Sequence, residues 1–259
     1  MVEIETGDTD SCPWSHGSLA SNTMYRVGWA THAATMDARR QLLEIAAREF
    51  FDGVEIDELD ITEGYIHPEG HPDSNRRVSI TQVMHEIRSD TLGQTSSITG
   101  RPAEPMPPST TFARQFAAQF AEVEVDVETG QVTVQRLFMA VDCGVPINPL
   151  TSSGQVEGGM TQALGYGHCE EMVYDDAGRM VNPRFGPYKI YRADEMPYIE
   201  AYLVQTMEKT GPFGAKAIAE IPKDGVAPAI RNAIADATGV RINSIPFTPE
   251  RVWTALRSV

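Results

Sequence analysis

Three cysteines in 259 residues, Cys12, Cys143 and Cys169, form no CxxC pair. That scarcity excludes an iron–sulfur cluster or a structural zinc site built by this chain alone. Few, unpatterned thiols fit a reducing compartment. Long apolar runs are missing too, and none approaches the roughly 18 residues a membrane helix needs. The opening MVEIETGDTD is acidic and lacks an apolar core, so no signal peptide is expected and the expected location is the cytoplasm. Positive charge is scarce: 21 Lys and Arg face 36 Asp and Glu, a formal net charge of −15. That balance argues against nucleic-acid and anionic-membrane partners. GxGxxG and HExxH are absent, and His16, His32, His67, His71, His85 and His168 fall into no metal-ligand spacing.

What remains is a globular composition, 41% hydrophobic and 22% charged, long enough for one large domain or two modest ones. Residues 2–6 read as a strand with no lead-in, followed by a small-residue loop over 11–23. Apolar spacing predicts a helix from Met24 to Phe51, stopped by Asp52-Gly53. Val54–Ile56 and Tyr65–His67 read as short strands around the turn-prone Glu63-Gly64. Ser79 and Gln82 form a candidate capping box for a short helix. Gly100, Pro102, Pro105, Pro107 and Pro108 mark 90–111 as a long loop.

Ala121–Asp126 and Gln131–Gln135 alternate apolar and polar residues around Glu128-Thr129-Gly130, a hairpin whose second strand runs on as an apolar, central strand through Val141. Helices are expected over 154–164, 228–238 and from Thr248-Pro249-Glu250 onward, with strands near 175–178 and over 198–204. Strands and helices alternate without a βαβ rhythm, so the expected class is α+β. The expected division is 1–110 and 111–259.

Three segments carry candidate chemistry. Gly17–Thr23 puts small and hydroxyl side chains before a helix, a recipe for holding phosphate on backbone N–H groups; taken alone, it is also an ordinary cap. Ser152–Gly159 reads as a second small-residue lead-in to a helix, where the Gln155 amide can both donate and accept. Thr210–Pro222 superficially suggests a phosphate-binding loop, but the GK[ST] ending is missing. It leads instead to one acid, Glu220, among Ala217, Ile218, Ala219 and Ile221. Apolar company of that kind is expected to desolvate the carboxylate and raise its pKa toward general-base values.

Together these stretches resemble a known family. GDTDSCPWSHGSLASNTMYRVG, the hairpin running into GQVEGG, GPFGAKAIAEIP, and the closing NAIADATGVRINSIPFTPERVWTAL are similar to the C-terminal half of the molybdenum subunit of the xanthine dehydrogenase/xanthine oxidase family of molybdenum hydroxylases. The resemblance covers nearly the whole chain and is weakest over 55–110.

It implies an α+β fold of mixed sheets with packed helices, completed by a partner chain as in split subunits resembling nicotinate dehydrogenase. It implies molybdenum held through a molybdopterin dithiolene, as the mononucleotide or cytosine dinucleotide, with no direct protein ligand. Glu220 matches the active-site base, and Gln155 the glutamine that hydrogen-bonds an oxo ligand. Ala20, Ser21, Asn22 and Thr23 match the loop on the pterin and its phosphate. Ile218 and Ala219 match the wall beside the metal, Ala219 departing from the glycine common there. [2Fe-2S] clusters and FAD are implied on partner chains, beside one carrying the missing N-terminal half. The implied activity is hydroxylation of an electron-poor carbon in an N-heterocycle or aldehyde, with oxygen from water. Reductive dehydroxylation of an aromatic acyl-CoA, hydration, and a noncatalytic assembly role stay open beside it.

Overall fold

A computed structural model describes residues 4–12, 14–15, 17–21, 23–90, 97–101 and 113–258. The chain forms two compact units, Arg26–Thr110 and a second that joins Met1–Tyr25 to Thr111–Val259. Residues 1–25 thus group with the C-terminal part rather than with 26–110.

In the unit Arg26–Thr110, the long helix α1 (Thr23–Phe50) buries Leu43, Ala46 and Ala47, one face at helical spacing. It ends as the Asp52-Gly53 signal requires: both residues have positive φ, and the Gly53 N–H bonds back to the Ala47 carbonyl at 3.0 Å. β1 (Leu59–Thr62) and β2 (Tyr65–Pro68) pair antiparallel, and β3 (Val78–Ser79) joins β2. Val54–Ile56 is not a strand. Glu63 and Gly64, at φ +51° and +83°, form a two-residue hairpin turn, and that turn sets Thr62 opposite Tyr65. The strand is therefore 59–62, with Leu59 buried and Ile56–Glu58 forming a 3₁₀ turn before it.

Helix α2 (Ile80–Asp90) starts on the expected capping box: the Gln82 N–H donates to Ser79 Oγ at 3.2 Å, and the Ser79 N–H to Gln82 Oε1 at 3.0 Å. Most of the expected loop over 90–111 lies outside the described residues.

In the other unit, β4 (Phe116–Val125) and β5 (Val132–Asp142) form the expected hairpin. β6 (Tyr198–Val204) lies parallel to β5 on its other side, which makes β5 central. A parallel neighbour needs a crossover, and α3 (Pro149–His168) supplies its helix. α4 (Ile221–Asp224), α5 (Val226–Thr238) and α6 (Pro249–Arg257) complete the unit. Its core joins Leu137, Met139 and Val141 to Val156, Met160 and Leu164, Ile230 and Ile234, and Phe247 and Val252.

Two strand expectations fail here. Residues 4–6 pair with nothing in a sheet and Ile4 is exposed, while Val2 and Glu3 lie outside the described residues. Near 175–178 there is only a single bridge, Tyr174 to Met180. The class is α+β as expected.

Candidate functional site

Helix α3 begins earlier than its small residues suggest. Asn148 is the cap, its side chain accepting from the Thr151 N–H at 3.2 Å, and Pro149 follows at the first turn. Ser152 and Ser153 are therefore inside the helix, and Gln155 sits in its second turn, exposed. Four residues on, Gly159 meets the 219–222 segment: a Cβ there would lie 2.6 Å from Pro222 Cβ and 3.6 Å from the Ala219 carbonyl oxygen. Residues four apart share a helix face, so Gln155 is one turn from the place where α3 touches the segment carrying Glu220. Gly154 and Gly158, on the solvent side of the same turns, would meet nothing within 4 Å.

Glu220 is the residue before α4; its side chain makes no cap hydrogen bond and is exposed. The expectation of a carboxylate desolvated by its apolar neighbours is not met within this chain. The reason is geometric. Ile218 and Ile221 pack on the core and Ala217 is buried, so the apolar residues point inward and Glu220 points out. Ala219 is half-buried beside it.

The segment is fixed on both sides. Ahead of it, Gly144 and Ala215 bridge β5's end to the Gly211–Gly214 turn, the Lys216 N–H donates to the Cys143 carbonyl at 2.9 Å, and Gly144 has φ +69° with no room for a Cβ. Lys216 Nζ pairs with Asp142 Oδ2 at 2.8 Å. Burial works against the Asp142 carboxylate, but hydrogen bonds from Lys216, Thr206 and the Gly144 N–H outweigh it and hold its pKa below the ordinary value. Behind it, Gln119 Nε2 donates to the Pro222 carbonyl and the Tyr166 hydroxyl to the Lys223 carbonyl, each at 2.5 Å. Asp142, Lys216, Gln119 and Tyr166 were not singled out from the sequence. Each acts across 57 or more positions of chain, a relation that no local pattern carries.

The loop before α1 has an unusual backbone conformation that the sequence did not announce. Ala20 and Ser21 have φ +50° and +54°, left-handed values costing roughly 1–2 kcal/mol each for residues with a Cβ. Ser18 Oγ and Thr23 Oγ1 lie 2.5 Å apart. Asn22 lies outside the described residues. The loop is tied to the Glu220 side of the unit, since the Tyr25 hydroxyl donates to Thr210 Oγ1 at 2.8 Å, just before Gly211.

Among the described residues no group of three His, Cys, Asp or Glu is placed to hold a metal ion. The α3 surface at Gly154 and Gly158 is open and the 20–21 backbone is left-handed, the kind of surface on which a large anionic group can rest against backbone N–H groups.

Comparison with known proteins gives this arrangement a family. Residues 1–197 match the family model described as "Molybdopterin cofactor-binding domain", and the chain belongs to that family. Two relatives from Escherichia coli K12 are each 32% identical. One is "Probable hypoxanthine oxidase XdhD", matched over 100% of this chain and 26% of its own length. The other is "Putative xanthine dehydrogenase molybdenum-binding subunit XdhA", over 96% and 32%. The crystal structure of Cu,Mo-CO dehydrogenase superposes with a TM-score of 0.82 at 26% identity, covering 98% of this chain and 32% of that one.

The chain therefore corresponds to part of the molybdopterin-binding subunit of the xanthine dehydrogenase family, spanning about a quarter to a third of these relatives' length. The family model reaches the 17–23 loop and Gln155. Glu220 lies beyond it, within the stretch matched by the two relatives.

Proposed function

We propose that this chain supplies the base-bearing part of the cofactor site in a multi-subunit molybdenum hydroxylase. The enzyme would hydroxylate an electron-poor carbon of an aromatic N-heterocycle or an aldehyde. The observation that supports this reading is the seating of Pro222 and Ala219, which flank Glu220 in sequence, against Gly159, one helical turn from Gln155.

Ala20, Ser21, Asn22 and Thr23 would hold the pterin and its phosphate through backbone N–H and hydroxyl donors. Gln155 would offer its amide to the metal-bearing end of the cofactor. When bound, the molybdenum cofactor supplies a two-electron acceptor and an activated oxygen derived from water. Glu220 would accept the proton that this chemistry releases, with the fixed 216–223 segment aiming its carboxylate. Ile218 and Ala219 form the wall beside it. Glu220 is exposed in this chain, so the desolvation that tunes a general base would come from cofactor, substrate and the rest of the subunit closing over it.

Electrons would leave through [2Fe-2S] clusters and FAD on partner chains, and the remaining two thirds of the molybdenum subunit would complete the pocket. A cytoplasmic location goes with this chemistry. Among the described residues no helix is long and apolar enough to cross a membrane. Names of the relatives point to purines as first substrates to try. The test is the purified complex assayed for molybdenum and molybdopterin, then offered hypoxanthine, nicotinate and benzaldehyde in H₂¹⁸O. Label in a hydroxylated product supports the reading; cofactor-free complex, or product without label, contradicts it.

A further inference from the structure

The Asp142–Lys216 pair is built with more care than a stabilising contact requires. Its side chains are 14% and 9% exposed, and it joins four stretches of chain. Lys216 Nζ donates to Asp142 Oδ2 at 2.8 Å and to the Arg114 carbonyl at 3.0 Å. Asp142 Oδ1 accepts from the Thr206 hydroxyl at 2.6 Å and from the Gly144 N–H at 3.0 Å. The lead-in to β4 at Arg114, the end of β5, Thr206 just past β6, and the turn leading to Glu220 thus meet at one point.

A nearly buried ion pair is a weak source of stability, because desolvation offsets most of the attraction. An apolar pair of similar volume would hold the fold as well. Such a pair would lack directed hydrogen bonds, which fix Lys216 in angle as well as position. Only Ala217, Ile218 and Ala219 separate Lys216 from Glu220, and beyond Glu220 the chain is fixed again at Pro222 and Lys223. The acid lies on a short span held at both ends. Lys216 and Asp142 cancel in charge, so their effect on Glu220 is through geometry, not field.

We infer that Lys216 and Asp142 are positioning residues for Glu220, with Thr206 as their outer support; the inference rests on the reading of Glu220 as the base. The test uses the assembled enzyme in three forms: Lys216→Met with Asp142→Leu, Thr206→Val, and Glu220→Gln. Readouts are molybdopterin content, kcat and KM, and amide hydrogen exchange over 214–224.

The apolar pair should keep assembly and cofactor, speed exchange across that segment, and lower kcat by about ten- to a hundredfold with KM changed by less than about threefold. Thr206→Val should lower kcat by about three- to tenfold. The inference is overturned if the apolar pair keeps kcat within about twofold, or loses cofactor instead of turnover. Should that variant fail to assemble, Thr206→Val decides, and kcat within about twofold overturns it. If Glu220→Gln leaves turnover intact, the assignment of the base fails first, and this inference with it.

Discussion

A Cβ built on Gly159 would sit 2.6 Å from Cβ of Pro222, so α3 and the start of α4 touch where only a glycine fits. Atoms that close must move apart, and a proline ring cannot rotate away. Gly159→Ala gains helix propensity of roughly 1 kcal/mol and forces overpacking of typically about 1–3 kcal/mol. The expected net effect on thermal unfolding is a loss of up to about 2 kcal/mol. The clearer effect should be on turnover, because the residue displaced is two positions from Glu220. A variant with unchanged turnover would mean that α3 does not set the Glu220 segment.

Much of this was legible in the sequence where the signal is local. The Ser79–Gln82 box, the Glu63-Gly64 turn, β6, and the Thr248 cap of α6 each depend on residues a few positions apart. The start of α3 was not, because the small residues from Ser152 to Gly159 read as a lead-in to the helix, whereas Asn148 caps it and Pro149 begins it. Burial of Glu220 was misjudged for a related reason. Composition reports which neighbours are apolar, not that Ile218 and Ile221 turn to the core while the acid turns outward. The clamp of Asp142, Lys216, Gln119 and Tyr166 joins residues far apart in sequence, so only the fold displays it.

Acid should loosen the clamp. The Asp142 pKa is depressed in the folded chain, so its contribution is fully present above the unfolded value of about 3.9 and is lost as pH falls through the lower folded value. Asp142→Asn should cost about 3 kcal/mol at pH 7, since it leaves Lys216 charged, nearly buried and unpaired. It should also flatten the fall in stability below pH about 4. Denaturant titrations at pH 3 to 7 measure both effects; an equally steep acid limb in the variant would contradict the assignment.

A second titration lies at the far end of α3. Burial pushes the His168 imidazole below its ordinary pKa, and its Nδ1 is 2.5 Å from the Tyr191 hydroxyl. The unfolded chain therefore takes up this proton first, and stability should fall as pH drops below about 6.5 toward the folded value. His168→Leu should remove the slope in that window. Persistence of the slope would assign it to another group.

The 17–23 loop is tested by charge. Ser21→Glu puts an anion where the cofactor phosphate is proposed to lie, on backbone already left-handed at φ +54°. Molybdopterin content of the assembled enzyme should drop severalfold while assembly survives. Full occupancy in this variant would place the phosphate elsewhere.

Glu220 carries the proposed chemistry, and the most direct measurement is the rate of enzyme reduction by substrate in Glu220→Gln, on complex with verified molybdenum occupancy. Glutamine keeps the size and the hydrogen bonds but cannot take the proton, so cofactor content and assembly should match the parent. A positioned general base contributes roughly 10²–10⁴ in rate, and the upper part of that range is expected because proton removal also creates the nucleophile. Substrate affinity should change far less than turnover. A reduction rate within about tenfold of the parent would show that Glu220 is not the base.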